Sequence, residues 1–347
     1  MTQEKPTVGI LGTGIYIPAN RMTAREIADK TNGVWTEEAV VEKLGIIEKP
    51  IPGENDGTQE MGVMATLDAL KNTETDPEGI DLIISIGEEW KEYPLTTTAI
   101  YIQEKIGAKN AWAFDLQQRC CSTVSAMKVA KDMMIADDSI NTVLIAGGYR
   151  NGDFVDYADP SMSMMFNLGA GGGAILLKKG MTKNLLHETH VITDGTLARD
   201  AGVMYGGTCH PITKENVDVA YKSLKIFNVD HMKNRLNEVS LNNWFECIDK
   251  AFQKSGIEQS KLGYLGILHF KRSMHHQILE RLNLSDKNTI YLEHYGHLGQ
   301  IDQILSLHLG LKQNIVKDGT VISMISAGIG YAWAANVITW GTEFKKS

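Results

Sequence analysis

Cysteines, basic runs and long apolar stretches are all scarce in this chain of 347 residues. Four cysteines, two of them adjacent at Cys120 and Cys121, do not form a disulfide framework, so a reducing cytoplasm is the expected location. Basic residues number 34 against 42 acidic ones, a net charge of −8, and the acids are scattered. Without a Lys/Arg run there is no electrostatic footprint for nucleic acid, and no nucleic-acid partner is expected. No stretch approaches the roughly 18 consecutive apolar residues of a membrane span. The opening MTQEKPTVGIL has no charged region followed by an apolar core, so no secretory signal and no membrane association are expected. A dinucleotide loop is excluded as well: Gly12 and Gly14 follow a strand-like segment, but Ile17 stands where the third glycine of Gly-x-Gly-x-x-Gly belongs.

What is present is enough apolar material, 43% of residues, to bury a sizeable core, in a chain long enough for about two domains. Val8 to Ile17 reads as a glycine-broken strand closed by Pro18. Helical spacing follows at Thr23 to Lys30, Thr36 to Lys43, Thr58 to Lys71 and Thr98 to Ile106. Asp81 to Gly87 (DLIISIG) and Thr142 to Gly148 (TVLIAGG) read as buried strands, and Gly169 to Leu177 (GAGGGAILL) as a glycine-dense turn and a further strand. Glycines at that density in a buried sheet indicate close backbone approach rather than phosphate binding. Leu262 to Phe270 and Thr320 to Gly328 repeat the DLIISIG and TVLIAGG pattern at a similar separation, which suggests an internal duplication.

The segment that carries chemistry is Ala113 to Ala130, AFDLQQRCCSTVSAMKVA. A strand-like entry runs into a polar corner at Gln117, Gln118 and Arg119, then the Cys pair, then small and apolar residues suited to a buried helix. A cysteine in the first turn of such a helix meets the positive end of its dipole, which favours the thiolate and makes a nucleophile. The bland alternative is a small buried hydrophobe.

The pattern AFD, four residues, Cys resembles the nucleophile helix of the thiolase superfamily, in particular the 3-oxoacyl-[acyl-carrier-protein] synthase III group, and QQ-x-C resembles chalcone synthases in the same register. GILGTGIYIPANRMTAREIA resembles the opening of synthase III chains. The resemblance implies an α/β chain of thiolase-like fold with a duplicated αβαβα five-layer arrangement. One half, residues 1–179, carries the nucleophile Cys120; the other, residues 180–347, carries a cap at about 180–242 and the catalytic histidines. It implies an acyltransferase of EC class 2.3.1 that forms an acyl-Cys120 thioester. Acyl-CoA or acyl carrier protein would be substrate, with no cofactor and no metal, in a cytoplasmic homodimer.

By family position His269, ending the strand LGYLGILHF, is the general base and acid, although the usual His-Gln-Ala-Asn reads His269, Phe270, Lys271, Arg272 here. The usual Gly-Asn-Thr-Ser turn reads Gly296, His297, Leu298, Gly299, so His297 replaces the Asn as hydrogen-bond donor to the thioester carbonyl. A Cys-His-His set resembles the elongating ketoacyl synthases. The oxyanion hole falls to the N–H groups of Cys120 and Ile329. Glu88, with Glu89 beside it, precedes Cys120 by the spacing of the catalytic Glu in hydroxymethylglutaryl-CoA synthases, and is either an acid/base group raised in pKa by burial or part of a solvated loop.

Four further positions are expected at the substrate. Tyr93 resembles the residue that reaches across a dimer interface into the partner's acyl tunnel, and Trp35 resembles a family Trp that stacks on coenzyme A. Arg119 either recognises a substrate carboxylate or forms a salt bridge with a neighbour such as Asp115. Lys271 and Arg272 either meet a phosphopantetheine or an acidic carrier surface, or are simply solvated. The closely spaced His275, His276 and His294 are weighed as metal ligands and set aside. Carbon–carbon condensation is the expected outcome. The alternatives are acyl transfer to an alcohol or amine, a hydroxymethylglutaryl-CoA synthase-like aldol condensation, and a silent subunit of a heteromeric synthase.

Overall fold

Residues 5–341 are described by a computed structural model. The first half runs β1 (Val8–Tyr16), β2 (Arg21–Thr23), α1 (Ala24–Lys30), α2 (Glu37–Ala39), β3 (Glu48–Pro50), α3 (Thr58–Thr73), β4 (Leu82–Ser85) and α4 (Thr98–Ile106). It continues with β5 (Trp112–Asp115), α5 (Ser122–Ala136), β6 (Thr142–Tyr149) and β7 (Gly171–Lys179). The second half runs β8 (Leu185–Thr193), β9 (Ala201–Val203), α6 (Val217–Ala220), β10 (Leu224–Ile226), α7 (Val229–Ser255), β11 (Leu262–Ile267), α8 (Arg272–Arg281), α9 (Asp302–Lys312), β12 (Val321–Gly328) and β13 (Ala332–Thr339).

The main sheet has the order β11-β12-β13-β8-β1-β7-β6-β4-β5. On one side of its centre β4 lies parallel to β5 and β6, with β7 and then β1 antiparallel. On the other side β11 lies parallel to β12, with β13 and then β8 antiparallel, and a parallel bridge from Leu265 to Thr289 stands where β5 stands in the first half. A single pairing, Gly9 with Leu185, joins β1 to β8. The same order and the same directions thus occur twice, and the chain is a duplicated unit.

Layering follows from which helices are wetted. α3 packs on β1, β6 and β7 with α4 beside it, and α7 packs on β8 and β13. α5 touches β6 of its own half and β8 and β13 of the other, while α9 touches β11 of its own half and β1 and β7 of the other. α5 and α9 therefore lie between the two half-sheets, and a helix covered on both sides must be apolar or internally satisfied nearly all round. α9 is buried at every position from Asp302 to Leu307. The result is five layers, with the loops at the starts of both central helices meeting in the interior.

The glycine density has the meaning expected of it. A Cβ on Gly14 (β1) would lie 2.2 Å from Ala69 N, one on Gly172 (β7) 2.1 Å from Met61 O, and one on Gly148 (β6) 2.2 Å from Thr58 O. Three neighbouring strands thus have no side chain where the backbone of α3 crosses them, and α3 meets them with Ala65 and Ala69, both fully buried. No phosphate is needed to account for these glycines.

Two expectations need correcting. Residues 180–242 are not one irregular cap: β8 is an inner strand of the main sheet, and α7 begins at Val229. The misreading has a local cause. The first half of α7, VDHMKNRLNEVSLNN, is largely polar because only its later turns, with Trp244, Phe245, Ile248, Ala251 and Phe252, press on the sheet. β8 carries polar residues at HETH because several of its positions are only half-buried. The irregular segment is confined to residues 194–228, with the small β9–β10 pair inside it. The helix expected at Thr36 to Lys43 is a single α turn that widens into a π turn over Val40–Leu44. Among the described residues no helix is long and apolar enough to cross a membrane.

Candidate active site

β5 delivers the chain to a tight corner. Arg119 takes a left-handed φ of 51°, Arg119–Cys121 forms a 3₁₀ turn, and α5 follows directly. The corner is stitched by Ser122, whose Oγ accepts from Gln118 N at 2.7 Å and donates to Arg119 O at 2.7 Å. β12 backs it closely: a Cβ on Gly328 would fall 2.9 Å from Gln118 O and 3.1 Å from Cys120 N. Cys120 is buried at the positive end of α5, where the peptide dipoles favour a developing negative charge.

The start of α9 faces it. His297 Nε2 lies 3.2 Å from Cys120 Sγ, and His297 Nδ1 lies 2.6 Å from Asp302 Oδ2. Asp302 is fully buried, and its carboxylate also accepts from Leu298 N at 2.7 Å and from His269 N at 2.7 Å. Three donors compensate a buried charge that would otherwise be strongly destabilising. Burial on its own lowers the pKa of His297, but Asp302 and then Cys120 outweigh it and hold the imidazole well above its ordinary value. The arrangement sets the Cys120 sulfur against an imidazolium braced by a carboxylate, which is the logic of an activated sulfur nucleophile.

His269, the expected acid and base, is engaged elsewhere. Its Nε2 faces Gly45 O at 3.2 Å, and its Nδ1 faces Asn167 Nδ2 at 3.2 Å. A carbonyl only accepts and an amide NH₂ only donates, so the proton sits on Nε2 and Nδ1 accepts. Burial brings the pKa of His269 down to about 4, and the ring is neutral. Of the two imidazoles it is therefore His297, not His269, that faces the Cys120 sulfur. His297 meets the sulfur because the Gly296–Gly299 turn, with positive φ at both glycines, carries it towards α5, whereas Gly45 and Asn167 hold His269 by both nitrogens.

Glu88 is buried rather than solvated. Asn151 Nδ2 donates to it and Arg119 approaches its Oε2 to 3.8 Å. Burial, against the pull of Arg119, raises its pKa, and His297 lies within its electrostatic reach. Arg119 does not pair with Asp115. It forms a two-pronged ion pair with Glu89, because its left-handed φ turns the side chain towards the loop after β4. Asp115 instead caps α4, accepting from Thr98 N at 3.0 Å and Ala99 N at 2.8 Å. Ile329 is half-buried and lines a cavity of about 350 Å³ with Glu89, Gln117, Gln118 and Arg119.

The remaining expected positions are dispersed. Trp35 is half-buried, edge-on to Phe166 at 6.3 Å, beside a surface cavity lined by Arg25, Thr36, Glu37 and Glu38. Arg272 is held by Glu293 and lies over the Tyr291 ring at 4.2 Å, while Lys271 is exposed. Tyr93 is 70% exposed in the loop after β4. Among the described residues no cluster of three or more His, Cys, Asp or Glu could hold a metal. Two residues of the site carry no expectation from sequence. Asp302 had a signal, an acid in the first turn of a helix following the His297 loop. Tyr149 had none; it is buried with its ring centroid 6.2 Å from that of His297, and packs where a Cβ on Gly299 would collide with it.

Two family descriptions match the chain: 3-oxoacyl-[acyl-carrier-protein] synthase III over residues 114–195 and its C-terminal counterpart over residues 252–340. Beta-ketoacyl-[acyl-carrier-protein] synthase III of Syntrophomonas wolfei is 24% identical, over 97% of this chain and 98% of its own length. That of Prochlorococcus marinus is 27% identical, over 96% and 97%. The crystal structure of 3-oxoacyl-[acyl-carrier-protein] synthase III from Aquifex aeolicus superposes with a TM-score of 0.83 at 22% identity, covering 96% of this chain and all of that one. The priming beta-ketosynthase of the R1128 polyketide pathway gives 0.83 at 21% identity, with 99% of both chains covered.

Proposed function

We propose that this chain, which belongs to the 3-oxoacyl-[acyl-carrier-protein] synthase III family of thiolase-fold proteins, is an acyltransferase that loads an acyl group onto Cys120 and condenses it with a second thioester. The observation that carries the reading is the Cys120–His297–Asp302 chain, with 3.2 Å from sulfur to ring and 2.6 Å from ring to carboxylate.

In the first half-reaction the sulfur attacks the thioester carbonyl of an acyl-CoA. The N–H groups of Cys120 and Ile329 receive the oxyanion, a contribution that is usually worth about 10²–10³ in rate per donor. His297 then protonates the departing coenzyme A thiolate. In the second half-reaction the carboxylate of a malonyl thioester leaves as carbon dioxide. The electron pair of the broken C–C bond attacks the acyl carbonyl, and the Cys120 thiolate is expelled. His297, which regains a proton on Nε2 from solvent once coenzyme A has left, donates that N–H to the enolate oxygen in that step, and neutral His269 holds the backbone and Asn167 beside it. Acyl-CoA is the proposed donor, acyl carrier protein the proposed acceptor, and the cytoplasm the proposed location.

Acyl transfer to an alcohol or amine is the second reading, favoured by the carboxylate behind His297, which suits an imidazole that takes a proton from a hydroxyl. Incubating the protein with acyl-CoA and a malonyl thioester separates the two: carbon dioxide stoichiometric with turnover supports condensation, and turnover without it supports simple transfer. We further propose a homodimer docked through the loop after β4, where Tyr93 is 70% and Leu95 104% exposed. Light scattering at micromolar protein should give twice the chain mass, and a monomer mass would refute it.

A further inference from the structure

Lys49, on β3, is 0% exposed, and no carboxylate pairs with it among the described residues. Its Nζ instead lies 2.7 Å from Tyr157 Oη, 2.6 Å from Phe166 O and 2.7 Å from Leu168 O. An ammonium has three protons and no acceptor, so three acceptors use all of them, whereas a neutral amine offers two. A buried cation without a counter-ion is unfavourable unless it is fully hydrogen-bonded in this way.

The clamped carbonyls flank Asn167, which touches both histidines. Asn167 O accepts from His297 N at 2.8 Å, and its Nδ2 faces His269 Nδ1 at 3.2 Å. Leu168 bridges to His297, and Gly169 N donates to His297 O at 3.0 Å. Gly296 completes the contact, since a Cβ there would fall 2.3 Å from Asn167 O and 3.3 Å from Lys49 Cβ. The segment 166–169 is thus a ribbon with Lys49 on one side and the backbone of His297 on the other.

We propose that Lys49 is a positioning residue: its ammonium fixes the 166–168 ribbon, and through it the His297 ring against the Cys120 sulfur, and loss of its proton loosens that contact. This rests on the reading of Cys120 and His297 as the reacting pair. Burial brings the lysine's pKa down to about 7, so the clamp changes charge in the neutral range. The charged groups on the elements around it are occupied elsewhere. Glu48 on its own strand faces Arg21 at 3.5 Å and His294 at 4.0 Å, and Arg21 is the charged residue of the paired β2. Glu293 pairs with Arg272 and His297 with Asp302, while Asp153 and Asp159 pair with Arg150 and Lys225. Tyr157, held neutral by a raised pKa, is the titratable group that touches Nζ.

The test is iodoacetamide alkylation of the full chain between pH 5.5 and 9, quantified on the Cys120 peptide because Cys209 is exposed and reacts independently. In the native protein the rate should fall at least threefold as pH rises through about 7. Lys49→Arg, whose guanidinium stays charged, should remove that fall, and Lys49→Met should be slow at every pH. A flat native profile, or a fall that persists unchanged in Lys49→Arg, overturns the proposal while leaving the acyltransferase reading intact. A native Cys120 that does not alkylate at all overturns both.

Discussion

Cys120→Ala should abolish the acyl adduct: intact mass after incubation with a panel of acyl-CoA thioesters should show the added acyl group in the native chain and none in the variant. The adjacent thiol cannot take over. Cys121 is fully buried, donates its S–H to Ala332 O at 3.4 Å, and is pushed far above the ordinary thiol pKa by burial. A thiol that cannot ionise is not a nucleophile. The two cysteines are neighbours in sequence with opposite chemistry, because one faces the His297 turn and the other faces the sheet. Cys247 is likewise buried, with its S–H on Trp333 O. Cys209 is exposed, so any residual adduct in the variant should map there. An acyl group retained on any other residue of Cys120→Ala would refute the assignment, and a native chain that never acquires one would favour the silent-subunit alternative.

What could be read from sequence was what local pattern determines. The strand DLIISIG, the helix Thr98–Ile106 and the strand TVLIAGG stand where their apolar runs put them, and the glycines of β1, β6 and β7 mark the crossing of α3. The duplication was visible because both halves bury the same kind of strand. The roles of the two histidines were not legible, because each is set by atoms from distant segments. Gly45 and Asn167 occupy His269, while Asp302 and Cys120 occupy His297. Arg119 shows the same limit on a smaller scale. Its charge invited a partner close in sequence, and the left-handed backbone turned it to Glu89 instead. α7 was hidden because, Met232 apart, its first four turns bury no residue and read as polar. Family position puts the nucleophile at the corner before α5, where Cys120 lies in the Arg119–Cys121 turn, and it pairs the sulfur with His269, whereas the imidazole 3.2 Å from the sulfur is His297.

Asp302→Asn isolates the carboxylate from the rest of that chain. The amide keeps the shape but offers one acceptor oxygen where three N–H groups now converge on two, and it carries no charge. Asp302 is the largest influence raising the pKa of His297, so without it burial dominates and the imidazolium is disfavoured. Alkylation of Cys120 at pH 6.5 should then fall by about 10²–10⁴, the usual range for losing an acid–base partner. Its rate should climb with pH across the neutral range, the opposite of the fall expected of the native chain there. The stability profile has a fixed sign. A histidine whose folded pKa is raised contributes stability that is complete below its unfolded value and disappears as pH rises through the folded one. The native chain should therefore exceed the variant in denaturant midpoint most on the acid side of neutrality, and the part of that gap due to His297 should close at alkaline pH, leaving only the loss of the Leu298 and His269 backbone bonds. A variant that alkylates at the native rate, with the native pH profile, would mean that His297 needs no carboxylate to hold its proton, and the triad would reduce to a pair.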